Sequence, residues 1–261
     1  MSSQPAIASI CRSFPTPDDP SSGVFVLRRV EAMARRCRVT AIQPVPWFPI
    51  VASRPQWASA TPRSVDGLNV HAVPMFYVPK FLKSLDGYWL SRAVEPILRG
   101  LRGRGALDLI DSHFGYPEGV GALRVARALG VPVSVTLRGF ETEYLQIPGI
   151  GNQISAMLSE VDGVVCVSHS LKKLAVEHGA NEARVRVIHN AIDRQTFRPG
   201  DPASARRRLG LSPDAPIILS VGHLIERKRH HVLISAFAGL LQEIPEAQLF
   251  IIGNAGPDPA Y

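Results

Sequence analysis

Residues 107–119 read LDLIDSHFGYPEG, an apolar run that ends abruptly in a histidine and a turn. Leu107, Leu109 and Ile110 read as a short buried strand, and Pro117 is placed to open the next helix, which puts His113 and Phe114 in the connection between them. In an open parallel sheet, that edge is where ligands bind. His113, a ring able to accept, donate or carry a proton near neutral pH, therefore becomes the candidate chemical group. A plainer reading, in which it only caps a strand, stands beside that one.

The same alternation runs outward on both sides. Residues 6–11 read as a first strand, residues 12–23 (RSFPTPDDPSSG) as a turn-rich loop, and residues 24–36 as a helix starting just after Gly23. A glycine before a helix N-terminus at a strand edge can hold a phosphate or a hydroxyl-rich ligand against bare N–H groups. Residues 38–43 and 69–75 read as further strands, with an irregular proline- and tryptophan-rich connection over 44–63. Downstream come a helix over 120–129 ending at Gly130, a valine-rich strand over 131–137, a helix over 150–161 and a strand over 163–167. Ser168 then caps a helix running to residue 178, and residues 184–189 form a strand that turns out at Asn190. Strand and helix alternating this regularly predict a doubly wound α/β domain with a parallel sheet, over residues 1–195.

Residues 196–214 read as a linker with three prolines and the basic cluster Arg206-Arg207-Arg208. From 215 to 261 the pattern restarts as one strand-helix-strand unit, with strands over 216–221 and 248–252 and a helix over 231–241. One such unit cannot cover both faces of a sheet, so the second domain is expected to be cut short.

Composition bounds the function. The 261 residues are 46% hydrophobic and 20% charged, which indicates a soluble globular protein. No apolar run reaches the roughly 18 residues of a spanning helix, and residues 1–15 lack the features of a signal peptide, so a cytoplasmic location is expected. The three cysteines, Cys11, Cys37 and Cys166, suggest buried thiols rather than a disulfide or zinc framework. A net charge of +7 points to an anionic partner. No zinc finger, aromatic RNA-binding signature or basic tail supports nucleic acid, leaving nucleotide phosphate or an anionic membrane surface. For the membrane, residues 76–105 interleave Phe76, Tyr77, Phe81, Tyr88 and Trp89 with lysines and arginines, against the alternative of an inward-packed helix with solvated arginines.

Two further clusters carry chemistry. Arg138-Gly139-Phe140-Glu141 follows a strand, where Arg138 could hold a phosphate or carboxylate and Glu141 could accept sugar hydroxyls, or the two could form a structural ion pair. Gly222, His223, Arg227 and Lys228 lie in the turn before a helix, a plausible diphosphate site. A dinucleotide fingerprint is not met: Gly119-Val120-Gly121 lacks its third glycine. No phosphate loop and no nucleophile elbow occur.

With these residues in place, the chain resembles a retaining glycosyltransferase of the two-domain GT-B type, family 4. SFP…SSGVF resembles the family's first loop and helix, DLIDSHFGYPEG its histidine loop, and VTLRGFE its next strand and turn. VCVSHSLKKLAVEHGA with RVRVIHNAIDRQTFRP resembles the approach to the hinge, and ILSVGHLIERKRHHVLISA the donor turn. The resemblance implies two Rossmann-like domains and transfer of a sugar from a nucleotide-sugar donor to a glycan, lipid-linked or small-molecule acceptor, with retention and with neither metal nor other cofactor. The setting it suggests is cell-surface polysaccharide or glycolipid synthesis, in the cytoplasm or on the inner face of the membrane. By position, His113 matches the histidine that contacts the transferring sugar, Gly23 the loop near the donor phosphate and Lys228 the lysine that pairs with the diphosphate. Gly222, His223 and Arg227 complete the donor set, and Arg138, Glu141, Glu118 and Asn190 make up the acceptor or sugar set. The family usually has arginine where His223 stands and glycine where Arg229 stands, and its Glu-seven-residues-Glu motif would lie beyond residue 261. Little turnover is therefore expected of this chain alone. The competing expectation is a non-catalytic glycan- or membrane-binding module.

Overall fold

A computed structural model describes residues 4–49, 55, 57, 58 and 62–254. The chain divides into two compact units, Met1–Ala191 and Ile192–Tyr261.

The first unit is built on one eight-stranded sheet. Its elements are β1 (Ala6–Ile10), α1 (Val24–Ala34), β2 (Arg38–Trp47), β3 (Arg63–Val65), β4 (Leu68–Phe76), α2 (Asp86–Gly103), β5 (Leu109–His113), α3 (Val120–Leu129), β6 (Val133–Leu137), α4 (Glu141–Tyr144), α5 (Pro148–Glu160), β7 (Gly163–Cys166), α6 (His169–Glu177) and β8 (Val185–Val187). The strand order is β3-β4-β2-β1-β5-β6-β7-β8, parallel throughout except for the antiparallel β3–β4 pair. From β1 the chain builds to one side through β2 and β4, then crosses back through α2 to lay β5 against the other side of β1. The carboxyl ends of β1 and β5 are thus the topological switch point, where an open parallel sheet leaves a crevice.

Both faces of the sheet are covered. Ala41 joins the core under α1 with Val26, Leu27 and Val30, and its neighbour Ile42 joins the larger core with Leu90, Val94, Ala122 and Ile154 of α2, α3 and α5. Successive residues of a strand face opposite sides, so the two cores lie on the two faces. At the α2–α3 contact, a Cβ on Gly121 would stand 2.6 Å from Leu90 Cδ2 and 2.9 Å from the Gly87 carbonyl oxygen. Gly121 here serves close helix packing, while a Cβ on Gly119 would meet Val135 of β6 and Met157 of α5.

The boundaries differ from expectation at five places. His113 is the last residue of β5 rather than part of the connection, because its backbone continues the ladder with Thr136. The chain then breaks out sharply at Phe114 (φ +75°), and Pro117 lies in a turn over 115–119 rather than opening the helix, while α3 keeps its expected bounds, Val120–Leu129. β2 runs on to Trp47 because β4 pairs with it as far as Phe76. The short antiparallel β3 starts at Arg63, where the irregular stretch ends, and is not among the expected strands, and β8 is only three residues long.

The second unit holds α7 (Pro202–Leu209), β9 (Ile217–Val221), α8 (His230–Leu240) and β10 (Gln248–Ile252). Asp201 caps α7, and β9 and β10 pair in parallel. The basic cluster has a local role here, since Arg206 Nη1 donates to the carbonyls of Ser212 and Ala215 at 2.6 and 2.8 Å.

Candidate active site

The switch point of the first unit carries a chain of buried polar groups. Asp111 lies directly across from Ser9 on β1 and Ser134 on β6. Ser9 Oγ donates to Asp111 Oδ2 at 3.0 Å and Ser134 Oγ to Oδ1 at 3.1 Å. His113, two residues on and therefore on the same face, is fully buried, with Nε2 3.2 Å from Asp111 Oδ2 and 3.3 Å from Ser9 Oγ. Its other nitrogen, Nδ1, faces Arg138, whose Nε and Nη2 stand at 3.3 and 3.1 Å. A guanidinium can only donate, so Nδ1 is the acceptor and Nε2 carries the proton toward Asp111. Burial pushes the Asp111 carboxyl up, but the neighbouring His113 ring, the charge of Arg29 and the Ser9 hydroxyl outweigh burial and hold it below the ordinary carboxylate range.

Arg138 continues the chain outward. Its Nη1 donates to Asn190 Oδ1 at 3.1 Å, and its guanidinium carbon lies 4.9 Å from the centroid of the Phe25 ring. His113, Arg138 and Asn190 are thus brought together, although they are far apart in sequence. Glu141 has a different task. Its Oε1 accepts from the Gly115 N–H at 2.8 Å, and its Oε2 accepts from the N–H groups of Arg138 and Gly139 at 3.1 and 2.8 Å. Both oxygens are engaged by backbone donors, so the carboxylate fixes the turns after β5 and β6 together. Glu118 is equally buried, and its Oε1 accepts from the backbone N and Nε of Arg12 at 3.2 and 3.0 Å. Desolvation opposes the Arg12 charge, but the Glu118 carboxylate beside it more than restores it and raises its pKa above the ordinary value.

Gly23 stands at the start of α1 with φ +61°, and a Cβ there would meet the Ser13 carbonyl oxygen at 2.0 Å. Only glycine satisfies both the left-handed backbone and that approach. Its role in the fold is to press the loop after β1 against the start of α1.

In the second unit, the turn after β9 is tied down by its backbone. Gly222 N–H donates to the Ile252 carbonyl at 2.8 Å and Leu224 N–H to the Asn254 carbonyl at 2.9 Å. A Cβ on Gly253 would come within 1.9 Å of the Gly222 oxygen, so the two strand ends touch through glycine. The Lys228 side chain lies across Gly222, its Cε 3.2 Å from where a Cβ would be. His223, Arg227 and Lys228 are exposed, and among the described residues neither Arg227 nor Lys228 forms an ion pair. Arg229 takes a left-handed conformation (φ +54°), the physical reason a glycine suits that position, and Glu226 holds its guanidinium at 3.1 Å. Buried His230 sits beneath, Nε2 3.2 Å from the His223 oxygen. A hollow of about 680 Å³ beside this turn is lined by Leu224, Glu226, His230, His231, Ile234, Ile251 and Gly253.

Residues 16–196 match the model of Glycosyltransferase Family 4 and residues 202–261 that of Glycosyl transferases group 1. The chain belongs to glycosyltransferase family 4. Over 183 residues this family 4 chain is 34% identical to a D-inositol 3-phosphate glycosyltransferase of Frankia alni, covering 65% of the chain and 45% of the relative. It is 25% identical to an N-acetyl-alpha-D-glucosaminyl L-malate synthase of Bacillus anthracis, covering 59% of the chain and 41% of the relative. The chain therefore spans less than half the length of either relative. Among solved structures, Anabaena Alr3699/HepE in complex with UDP and glucose is similar at a TM-score of 0.63 and 16% identity, covering 97% of this chain and 62% of that one. Arabidopsis thaliana UGT89C1 complexed with UDP follows at 0.54 and 16%, covering 97% and 68%. These likenesses show the GT-B fold.

Sequence reading missed several members of the site. Asp111 was legible as the residue two before His113 on a strand, hence on its face. Ser9 and Ser134 could be placed only by strand register. Gly253 carried a signal, a glycine ending a strand beside the turn after β9. Nothing in the sequence paired Arg12 with Glu118 across 106 positions.

Proposed function

We propose that this chain serves in transferring a sugar from a nucleotide-sugar donor to a hydroxyl-bearing small-molecule acceptor with retention of configuration. The first unit would carry the acceptor side and the turn over 222–229 the donor diphosphate. The observation that carries the reading is His113, fully buried at the switch point between Asp111 and Arg138. With both nitrogens engaged, the ring holds Arg138 in one constant geometry at the edge where a transferring sugar would sit, and fixed groups stabilise a transition state without reorganising. As the glycosidic bond breaks, negative charge gathers on the leaving diphosphate, where Lys228, Arg227 and the N–H groups of the turn after β9 would act. The names of the relatives, with inositol 3-phosphate and L-malate in them, support a small polyol or hydroxy acid as acceptor, ahead of a glycan or a lipid-linked sugar.

The test is calorimetric titration of the 261-residue chain with UDP-sugars, followed by transfer assays with polyol and hydroxy-acid acceptors. The reading expects donor binding that Lys228→Ala weakens about ten-fold or more, and little turnover by this chain alone. In the full-length enzyme, His113→Ala is expected to cut kcat by at least about a hundred-fold while donor affinity changes far less. Unchanged kcat would reduce His113 to a strand-end residue.

A second role, docking on an anionic membrane, is favoured by one observation. Phe81 and Leu82 are 72% and 60% exposed in the loop before α2, next to exposed Lys80. The other aromatics there are engaged, Phe76 with Trp89 at 4.9 Å and Tyr77 beneath Lys83 Nζ at 3.4 Å. No helix among the described residues is long and apolar enough to cross a membrane. Co-sedimentation with vesicles containing anionic lipid, lost in a Phe81→Ser/Leu82→Ser variant, would support docking on the cytoplasmic face and a place in surface glycan or glycolipid synthesis. Equal sedimentation of both proteins would remove it.

A further inference from the structure

Arg138 is a half-buried cation whose guanidinium makes no direct ion pair among the described residues. Of the five N–H groups of a guanidinium, one on Nε and one on Nη2 face His113, and one on Nη1 goes to Asn190. Its partners are a ring nitrogen and an amide oxygen, both neutral acceptors, and one N–H on each terminal nitrogen is left over. The guanidinium is nonetheless held firmly, by two hydrogen-bonded neighbours and by the Phe25 ring at 4.9 Å.

A second arginine stands near it. Phe25 and Arg29 are four residues apart on α1, so they share one face of the helix, one turn apart. Arg29 is half-buried and makes no hydrogen bond or ion pair among the described residues. It is near enough to act on both Asp111 and Arg138: desolvation first, then the Arg29 charge, lowers the Arg138 pKa from its usual value. Asp111 and Glu141 act on Arg138 in the opposite sense, each more weakly than Arg29 does, and the oxygens of both carboxylates are taken up by other donors. Two partly desolvated like charges, neither paired directly with a carboxylate, repel each other, and an anionic ligand reverses the sign of that interaction.

We propose that Arg29 and Arg138 form an anion site at the switch point of the first unit, which takes the phosphate or carboxylate of the acceptor. Arg138 supplies directed N–H donors, held in place by His113, Asn190 and the Phe25 ring, while Arg29 adds charge. His113 thereby gains a second task as the positioning residue for Arg138. The word acceptor rests on the glycosyl-transfer reading; the anion site itself rests on the two arginines. A nucleotide diphosphate offers the same chemistry, so the test separates the two sources.

The 261-residue chain is titrated with glycerol 3-phosphate and, separately, with UDP, by calorimetry and by NMR of the arginine Nε–H signals. Saturable glycerol 3-phosphate binding is expected, weakened about ten-fold or more in Arg138→Gln and about three-fold or more in Arg29→Gln. Arg138→Lys should fall between wild type and Arg138→Gln, because it keeps the charge and loses the fork. UDP affinity should stay within about two-fold in every variant. Arg29→Gln lies on a helix surface and Arg138→Lys keeps the charge, so these two decide the matter should Arg138→Gln fail to fold. No saturable binding to the wild type, or equal binding by Arg29→Gln and Arg138→Lys, overturns the site. Parallel loss of UDP affinity overturns its assignment to the acceptor. Absence of sugar transfer by the full-length enzyme, with anion binding intact, counts against the proposed reaction alone.

Discussion

β6 and β9 are both five-residue, mostly apolar strands with a hydroxyl residue fourth, VSVTL and IILSV, in opposite environments. Leu137 in β6 is wholly buried, whereas Leu219 and Val221 in β9 are 58% and 69% exposed. β6 lies between β5 and β7 with helices packed over the sheet, while β9 pairs only with β10 among the described residues. An apolar β-branched run is enough to make a strand. Burial depends on the layers that cover it. The turns after the two strands repeat the contrast: Arg138 is fastened by His113 and Asn190, whereas Arg227 and Lys228 project into solvent.

The largest expected effect tests this contrast directly. Leu137→Ala should cost about 2–5 kcal/mol in urea unfolding, and Leu219→Ala less than about 1 kcal/mol. Equal losses would break the comparison. Next come two glycines with the same backbone. Gly23 and Gly130 both sit at φ +61°, but only Gly23 has a carbonyl oxygen where a Cβ would go. Gly23→Ala is expected to cost roughly 2 kcal/mol or more and Gly130→Ala about 1 kcal/mol, read from the same denaturation curves.

A pH titration should show a smaller effect with a definite sign. The folded Asp111 carboxyl lies below its ordinary range. Its contribution to stability is therefore fully present above the unfolded pKa of about 3.9 and is lost as pH falls through the lower folded value. Asp111→Asn should have a flatter Tm-against-pH curve in that acid window; a curve parallel to wild type would remove Asp111 from the account. The last effect leaves stability unchanged. Burial pushes the Cys11 thiol well up, with Glu118 adding to it, and burial chiefly raises Cys166 to about 11, whereas Cys37 is half-buried. At pH 8 a thiol reagent should label Cys37 first, with Cys11 and Cys166 following only on unfolding. Rapid labelling of Cys166 would show that its burial is transient.

Much of the fold was legible because the signals are local. The helices over 120–129 and 169–177 end or begin on residues that signal it, Gly130 with φ +61° and Ser168 accepting from the Leu171 N–H at 3.2 Å. The strands from β5 to β7 are dense in valine, isoleucine and leucine. β3 escaped because three residues carry no periodicity, and the far end of β2 escaped because two prolines and a tryptophan do not look like strand until β4 lies beside them.

For the site, sequence alone determined which residue types stand at which strand ends: His113 after β5's apolar run, Arg138 after β6, and Gly222 with Lys228 after β9. Order along the chain suffices for that, since in a parallel sheet every strand delivers its carboxyl end to the same edge. What each side chain does was decided by tertiary structure. Glu141 and Arg138 are neighbours in a turn, yet the carboxylate was drawn inward by three backbone N–H groups while the guanidinium was turned toward His113 from another strand. A buried charge must find partners, and those partners come from strand register and from packing across the fold, which no local stretch of sequence contains.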